Sequence, residues 1–164
     1  MTRTINSGLF HELFVYENGN LYWKKTLNFR QKQGQLVGWL KKDGYRLVTS
    51  RFFGTLYVHK IIWAMHGGVY ETVVDHIDND KNNNKIENLR AATQQQNVFN
   101  TRMRKDNKSG VKGVCWFAPK NQWLVQVRKN KKSVVQKFFD DFELAELVAI
   151  EGRDKFHGRF ANHG

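Results

Sequence analysis

The chain has 164 residues, 40% of them apolar, which suffices for one folded domain or two small ones. Its net charge of +12, together with 13% aromatic residues, favours nucleic acid as the partner. The single cysteine, Cys115, excludes an internal disulfide and a cysteine-based zinc site, and the lack of long apolar runs or a signal-peptide core predicts a soluble intracellular protein. A membrane-surface role would need a basic amphipathic helix, and the sequence shows no such pattern.

The N-terminal part of the chain carries the signals of antiparallel hairpins followed by a helix. Residues 9–25 are predicted to form the first hairpin, because two apolar stretches flank Asn18-Gly19, which is a strong signal for a two-residue hairpin turn. Residues 41–58 repeat this pattern around Asp43-Gly44. Residues 59–66 have apolar side chains at helical spacing. His59 begins this helix, and a capping or packing role is expected for it ahead of contact with a functional site.

Residues 73–92 predict a second kind of hairpin, with a long polar loop. Its first strand is expected to end on Asp75 and His76. The loop at residues 77–85 is too rich in Asn and Asp for a strand or a stable helix. Residues 89–92 can form the second strand of this hairpin.

A helix is predicted directly after this hairpin. Thr93 stands at an N-cap position and Gln96 lies three residues further on, which is the pattern of a capping box. A helix packed behind the hairpin would bring four polar side chains into one site. These are Asp75, His76, Asn88 and Asn97.

This order of residues resembles the His-Asn-His (HNH) nuclease motif in the form found in phage homing endonucleases. The resemblance includes the Asp-His pair, the Asn-rich loop, Glu87-Asn88-Leu89 and the helix with Asn97. The helix start at residues 58–63 also resembles the segment that precedes the motif in those enzymes. The resemblance to the HNH motif implies a ββα-metal fold. It also implies a phage-encoded enzyme that hydrolyses phosphodiester bonds of double-stranded DNA in the host cytoplasm.

The resemblance also implies a role for each polar residue. His76 would be the general base that activates water, which suits a neutral imidazole near pH 7. Asp75 and Asn97 would be oxygen ligands of a single divalent metal, and Asn88 would hold the loop in position. Two oxygen ligands favour Mg²⁺, with Mn²⁺ able to substitute. Asp78 and Asp80 are expected to form turns.

Residues 101–112 are basic and polar, and predict a linker. We expect it to lie on the phosphate backbone of DNA, where its cations displace counterions. A linker that is merely solvated is the alternative. The cations concerned are Arg102, Arg104, Lys105 and Lys108.

Residues 113–164 carry the pattern of a small sheet packed on a helix. Three strands are predicted at residues 113–117, 122–129 and 133–139. The helix that follows is predicted to start with a box formed by Asp140 and Glu143, and to present small residues to the sheet.

Residues 109–162 resemble the DNA-binding domain of plant APETALA/ethylene-response factors (ERF), which phage HNH endonucleases often carry. In that family the exposed face of the sheet lies in the major groove. Cys115 and Gln126 depart from the plant pattern, so the base preference does not transfer. Trp123 is expected to pack in the core. The candidates for DNA contact are Lys112, Trp116, Gln126, Arg128 and Lys137.

These patterns together predict an α+β protein in three parts. Residues 1–100 would form a nuclease domain, residues 101–112 a basic linker and residues 113–164 an ERF-like domain. The expected function is that of a metal-dependent homing-type DNA endonuclease acting as a monomer. The alternative is a DNA-binding regulator that kept the fold and lost catalysis; an RNA-directed protein is less favoured, because the C-terminal sheet resembles a reader of duplex DNA.

Overall fold

The structure is a computed structural model that describes residues 7–164. Two compact units divide the chain, the first ending at Ala92 and the second running from Thr93 to Gly164. Each unit combines helices with small antiparallel sheets, which confirms the predicted α+β class. The boundary precedes the helix that carries Asn97, whereas the sequence analysis assigned this helix to the first domain. Within residues 7–164, none of the helices has both the length and the apolar character needed to cross a membrane.

The first unit contains two helices and three small antiparallel sheets. Strand β1 pairs with β2, β4 pairs with both β3 and β5, and β6 pairs with β7. A short 3-10 turn precedes β7. The elements are α1 (Ser7–Leu13), β1 (Phe14–Glu17), β2 (Asn20–Trp23), β3 (Trp39–Leu40), β4 (Arg46–Ser50), β5 (Gly54–Tyr57), α2 (Val58–Met65), β6 (Val73–His76) and β7 (Leu89–Ala92).

The turns and helix expected in this unit are present, with one correction. Asn18 and Gly19 both have positive φ, 45° and 86°, and they join β1 to β2 as predicted. Residues 7–13, however, form helix α1, although the sequence analysis assigned part of this stretch to the first hairpin. A short apolar run does not distinguish a strand from a buried helical turn, and here the burial of Phe10 and Leu13 decides the outcome.

Helix α2 holds the core of the first unit together. Its Val58, Ile61 and Ile62 side chains are fully buried, and the helix packs against α1, β4, β5 and β6. Burying each such side chain stabilises the fold by about 1.5–3 kcal/mol. Strand β6 is therefore backed by a well-packed layer, which gives its last two residues a fixed position.

Gly38 is a position where only glycine fits. Its φ is +83°, and a Cβ added there would lie 2.4 Å from the carbonyl oxygen of Leu47. We expect Gly38→Ala to lower the free energy of unfolding of this unit by at least about 1–2 kcal/mol, the cost of the left-handed conformation alone. Thermal or urea unfolding measures this change.

Gly34→Ala is the matched control for this experiment. Gly34 has a similar φ of +76° but no heavy atom within 4 Å of the added Cβ. A loss of stability no larger for Gly38→Ala than for Gly34→Ala would show that the close approach to Leu47 contributes nothing.

The second unit is a three-stranded antiparallel sheet packed on one long helix. The strand order is β10-β9-β8, and α4 lies against β9 and β10. Short 3-10 turns follow β8 and α4. The elements are α3 (Gln94–Phe99), β8 (Val114–Phe117), β9 (Gln122–Lys129), β10 (Lys132–Phe139) and α4 (Phe142–His157).

Small residues allow α4 to approach the sheet closely. Ala145 and Ala149 are fully buried, and a Cβ added at Gly152 would lie 3.1 Å from a methyl group of Val127. The N-cap of α4 is Asp141, whose Oδ1 accepts a hydrogen bond of 2.7 Å from the backbone N–H of Leu144. The predicted start at Asp140 is thus one residue too early.

Candidate active site

Strand β6 ends on the two residues that the sequence analysis placed at the centre of the site. Asp75 and His76 are 4% and 5% exposed, so both polar side chains are almost completely buried. The register of the β6–β7 hairpin sets Arg90 opposite Asp75 and Leu89 opposite His76. Buried polar groups need partners, and the partners of these two come from β7 and from the loop.

Asp75 forms an ion pair with Arg90 across the hairpin. Both Nε and Nη2 of the guanidinium lie 2.8 Å from Oδ2 of the carboxylate. Directly opposed residues of an antiparallel pair project from the same face, so the register itself brings this pair together. A carboxylate at such a buried position needs a cation, and Arg90 provides one.

His76 is held by Asn84 from the loop between the strands. Its Nε2 lies 3.0 Å from Oδ1 of Asn84, and Nδ2 of the same amide donates to the carbonyl of Asn82. Because an amide oxygen only accepts, Nε2 carries the imidazole proton. The basic lone pair of the neutral ring is then on Nδ1.

The surroundings of His76 keep the ring neutral. Burial lowers its pKa, while the hydrogen bond to Asn84 and the nearby carboxylate of Asp78 act in the opposite direction without cancelling this effect. A neutral imidazole can accept a proton, so the side chain is in the state that general base catalysis requires.

His59 and Tyr45 pack around His76. The ring centroid of His59 lies 5.0 Å from that of His76, and the ring of Tyr45 lies 5.3 Å from His59 and 6.1 Å from His76. Burial, and then the neighbouring His76, lower the pKa of His59 to about 3. Within the described part of the chain, no group forms a hydrogen bond with His59 Nδ1. His59 is a packing residue that also contacts the candidate site, because His76 is one of the rings it packs against.

Asn88 ties the two ends of the polar loop together. Its Oδ1 accepts from the backbone N–H of Asp78 at 3.1 Å, and its Nδ2 donates to Asp78 Oδ1 and to the carbonyl of Asn83. Asp78 and Asp80 each accept a hydrogen bond from the backbone N–H two residues further on. These are the local turns that short polar side chains favour, and they give the loop that carries Asn84 a defined shape.

Asn97 lies on α3, in the second unit. The helix starts with the predicted capping box, in which the Thr93 hydroxyl accepts from the Gln96 backbone N–H while the Gln96 side chain accepts from the Thr93 backbone N–H. The side chain of Asn97 is partly buried. In residues 7–164 no three His, Cys, Asp or Glu side chains are grouped so that they could hold a metal.

The basic residues of the predicted linker differ in their surroundings. Arg102, Lys105 and Lys108 are exposed. Arg104 is exposed as well, but its guanidinium forms a two-pronged pair with Asp106 at 2.8 and 3.0 Å. Lys112 is half-buried, and its Nζ donates to the backbone carbonyls of Phe99 and Thr101.

The register of the C-terminal sheet separates the remaining candidates for DNA contact. Gln126 and Arg128 alternate with the buried Val125 and Val127, so they lie on the face that points away from α4. Lys137 pairs with Val125, which puts it on the α4 side at the edge strand β10.

Strand pairing also places Trp116 on the α4 side of the sheet. It pairs with Trp123, and the two indoles meet edge to face at 5.0 Å, with Trp123 packed against Phe142 of α4. The sequence analysis expected Trp116 and Lys137 on the same exposed face as Gln126 and Arg128; the register places them on the opposite one.

Three residues around the site were missed by sequence reasoning. Arg90 could have been found, because pairing the predicted strands brings it opposite Asp75. Asn84 is one of three consecutive asparagines, and nothing in the sequence distinguishes it from Asn82 or Asn83. Tyr45 reaches His76 only through the packing of separate sheets.

Comparison with known proteins identifies the family of this region. The family model described as HNH endonuclease matches residues 56–99. "Protein 3.8" of Escherichia phage T7 is 36% identical over 90 residues, which cover 54% of this chain and 72% of that protein. "Uncharacterized HNH endonuclease L560" of Acanthamoeba polyphaga mimivirus is 37% identical over 126 residues, which cover 75% of this chain.

The matched region spans a little less than two thirds of the mimivirus protein, 64%. No solved structure matches the chain at a significant level. The family match contains Asp75, His76, Asn88 and Asn97 together with His59. From this match and the phage relative, the chain belongs to the HNH endonuclease family.

Proposed function

We propose that the protein is a metal-dependent DNA endonuclease of the homing type, with His76 as its general base. The observation that carries this proposal is the buried His76, neutral and oriented by Asn84, within the family match and directly after Asp75. A buried, oriented and neutral imidazole is the form of the side chain that a general base requires.

The reaction would be the hydrolysis of a phosphodiester bond of double-stranded DNA. His76 takes a proton on Nδ1 from a water molecule as that water attacks phosphorus in line with the departing 3′-oxygen. Asn84 keeps the ring from rotating, because it fixes Nε2. The packing of His59 and Tyr45 excludes bulk water from the other sides of the ring.

The proposed cofactor is Mg²⁺, held by Asp75 and Asn97 and exchangeable for Mn²⁺. The donor set fits a hard cation, because it consists of a carboxylate oxygen and an amide oxygen without a thiolate or imidazole. When bound, the metal would offset negative charge at the phosphoryl oxygens and at the leaving 3′-oxygen.

Cleavage of supercoiled plasmid in the presence of Mg²⁺ tests this function. We expect nicked or linear product with the natural protein, and none in EDTA or with His76→Ala. A DNA-binding regulator on the same fold would shift the plasmid in a gel but leave it supercoiled under all conditions.

We further propose that the second unit binds DNA as an ERF-like domain. Gln126 and Arg128 would contact bases from the face of the sheet that points away from α4, and the exposed Arg102, Lys105 and Lys108 would contact phosphates. Arg104, which pairs with Asp106, and Lys112 would add positive charge to this surface, and Trp116 and Lys137 would border it from the α4 side.

Arg128→Ala and Arg102→Ala should weaken binding in different ways. If Arg128 reads a guanine, its loss should cost about 1–3 kcal/mol on the preferred duplex and much less on a scrambled one. The loss of Arg102, a phosphate contact, should weaken binding to both duplexes alike and make the slope of log K against log salt shallower by about 0.9. Each variant removes one positive charge, so each is the charge control for the other.

These affinities can be measured on a duplex selected from a random pool and on its scrambled form, at two salt concentrations. Equal weakening on both duplexes by Arg128→Ala would mean that the sheet is an electrostatic anchor. Specificity would then belong to the first unit.

A further inference from the structure

The second unit contains a basic cleft whose innermost polar residues, Arg153 and His157, have no role in the function proposed above. It has a volume of about 540 Å³ and lies between the segment after α3, the end of β9 and the last turns of α4. Five Lys or Arg side chains and one acid line it, which leaves a net of four positive charges. The acid is Asp106, and its carboxylate is already paired with Arg104.

The innermost charge of the cleft is Arg153 of α4, which is 3% exposed. Its guanidinium donates to the backbone carbonyl of Lys112 and to Nδ1 of His163, at 3.2–3.3 Å for the latter. Nε2 of His163 lies 3.1 Å from Oδ1 of Asp154. Neither acceptor of the buried guanidinium is a carboxylate, since one is a backbone carbonyl and the other an imidazole nitrogen. Burial lowers the pKa of Arg153, and the nearby carboxylates of Asp154 and Glu146 offset this effect only in part.

Two other groups in the same cleft have no carboxylate as a hydrogen-bond partner among residues 7–164. Lys112 donates there to backbone carbonyls, and burial together with the charge of Arg153 lowers its pKa to about 8. His157 donates from Nε2 to the carbonyl of Arg128 and stacks on Phe99 at 3.7 Å. Its Nδ1 is buried and has no hydrogen-bond partner among residues 7–164. The residues that line the cleft thus carry more positive than negative charge.

We propose that this cleft seats a sugar–phosphate unit, with Arg153 and Lys112 as the charge partners of the phosphate. A phosphate oxygen accepts hydrogen bonds and supplies the negative charge that both side chains lack. The cleft is larger than one phosphate group, and its apolar wall of Val98, Phe99 and Met103 suits the adjoining sugar. This inference rests on the proposed function only where it identifies the phosphate as part of the DNA backbone.

The test uses the intact protein and 2-deoxyribose 5-phosphate as the probe, with 2-deoxyribose at the same ionic strength as the phosphate-free control. The signals to follow by NMR are the Arg153 Nε–H and the His157 ring. We expect saturable shifts with the phosphate and none with the free sugar. Shifts that rise linearly without saturation would overturn the site.

Arg153→Gln should weaken binding of the probe by about tenfold or more, as expected for the loss of a hydrogen bond to a charged group. Lys155→Gln is the matched control, since it removes an equal charge from an exposed position of the same helix that does not line the cleft. Equal affinity in the two variants would refute the assignment. If Arg153→Gln unfolds by circular dichroism, Lys112→Gln replaces it and should show the same loss.

A short DNA duplex added to the probe complex distinguishes the source of the phosphate. If the duplex displaces the sugar phosphate, the DNA backbone and the probe bind to the same cleft. Binding of the probe that a saturating duplex does not displace would overturn the DNA assignment and leave a free sugar phosphate as the ligand. Because the readout is independent of cleavage, an inactive protein that still binds the probe would refute the proposed function and not the site.

Discussion

Replacing His76 with alanine should lower the rate of DNA cleavage by about 100- to 10,000-fold, the usual contribution of a general base. The affinity for DNA should stay nearly unchanged, because the ring is 5% exposed and offers little surface to a ligand. Single-turnover experiments measure the cleavage rate. The affinity for DNA is measured by a binding titration in which Ca²⁺ replaces Mg²⁺ to prevent cleavage.

Exogenous imidazole gives this experiment its control. A free imidazole can enter the space left by the ring and accept the proton, so it should restore part of the lost rate in His76→Ala. Asn84→Ala should give a smaller loss, since it removes the group that orients Nε2 and leaves the base itself in place. Near-normal cutting by His76→Ala at saturating metal would rule out the base assignment.

Asp75→Asn should raise the Mg²⁺ concentration for half-maximal rate by at least about tenfold, which is the loss that even supporting groups of a metal site commonly cause. The amide keeps the shape of the side chain and can still accept from Arg90, so the fold should survive. Asn97→Ala should cause a loss in the same direction. Mn²⁺ should sustain cleavage by the natural protein, and EDTA should stop it.

Asp80→Asn is the matched control for the charge. Asp80 is exposed in the same loop, and an amide preserves its hydrogen bond from the backbone of Asn82. Its Mg²⁺ dependence should be that of the natural protein. If Asp75→Asn and Asp80→Asn respond to Mg²⁺ alike, Asp75 is not a ligand.

Asp75→Ala is less informative than Asp75→Asn, because it breaks a buried ion pair. It leaves Arg90, whose side chain is 13% exposed, without its carboxylate partner. Removing one member of a buried ion pair commonly costs about 3–5 kcal/mol. Activity lost in Asp75→Ala would therefore reflect unfolding as well as metal binding, and thermal unfolding has to be measured beside it.

Local interactions explain what could be predicted from the sequence. The turn at Asn18-Gly19 and the capping box of Thr93 and Gln96 both depend on neighbours within a few residues, and both are present. The Asp-His pair and the Asn-rich loop were recognisable for the same reason, since the chemistry of the motif lies in one continuous stretch.

Packing between distant segments decided the rest. His59 could be assigned to a helix start from its neighbours, but its place 5.0 Å from His76 depends on how α2 packs against β6. Residues 7–13 became a helix because burial of Phe10 and Leu13 outweighed an ambiguous local pattern. Helix α3 follows the motif in sequence, yet Phe99 at its end stacks on His157 of α4.

The sequence by itself thus determined the HNH family, the α+β class and the candidate residues of the site, because these depend on residue types at short spacings. Only the tertiary structure decided which neighbouring side chains orient the candidate site residues. The faces of the C-terminal sheet and the partners of Asp75, His76 and Lys112 depend on strand register and on contacts between segments far apart in the chain. Such contacts are set by the burial of the whole unit, and no local pattern encodes them.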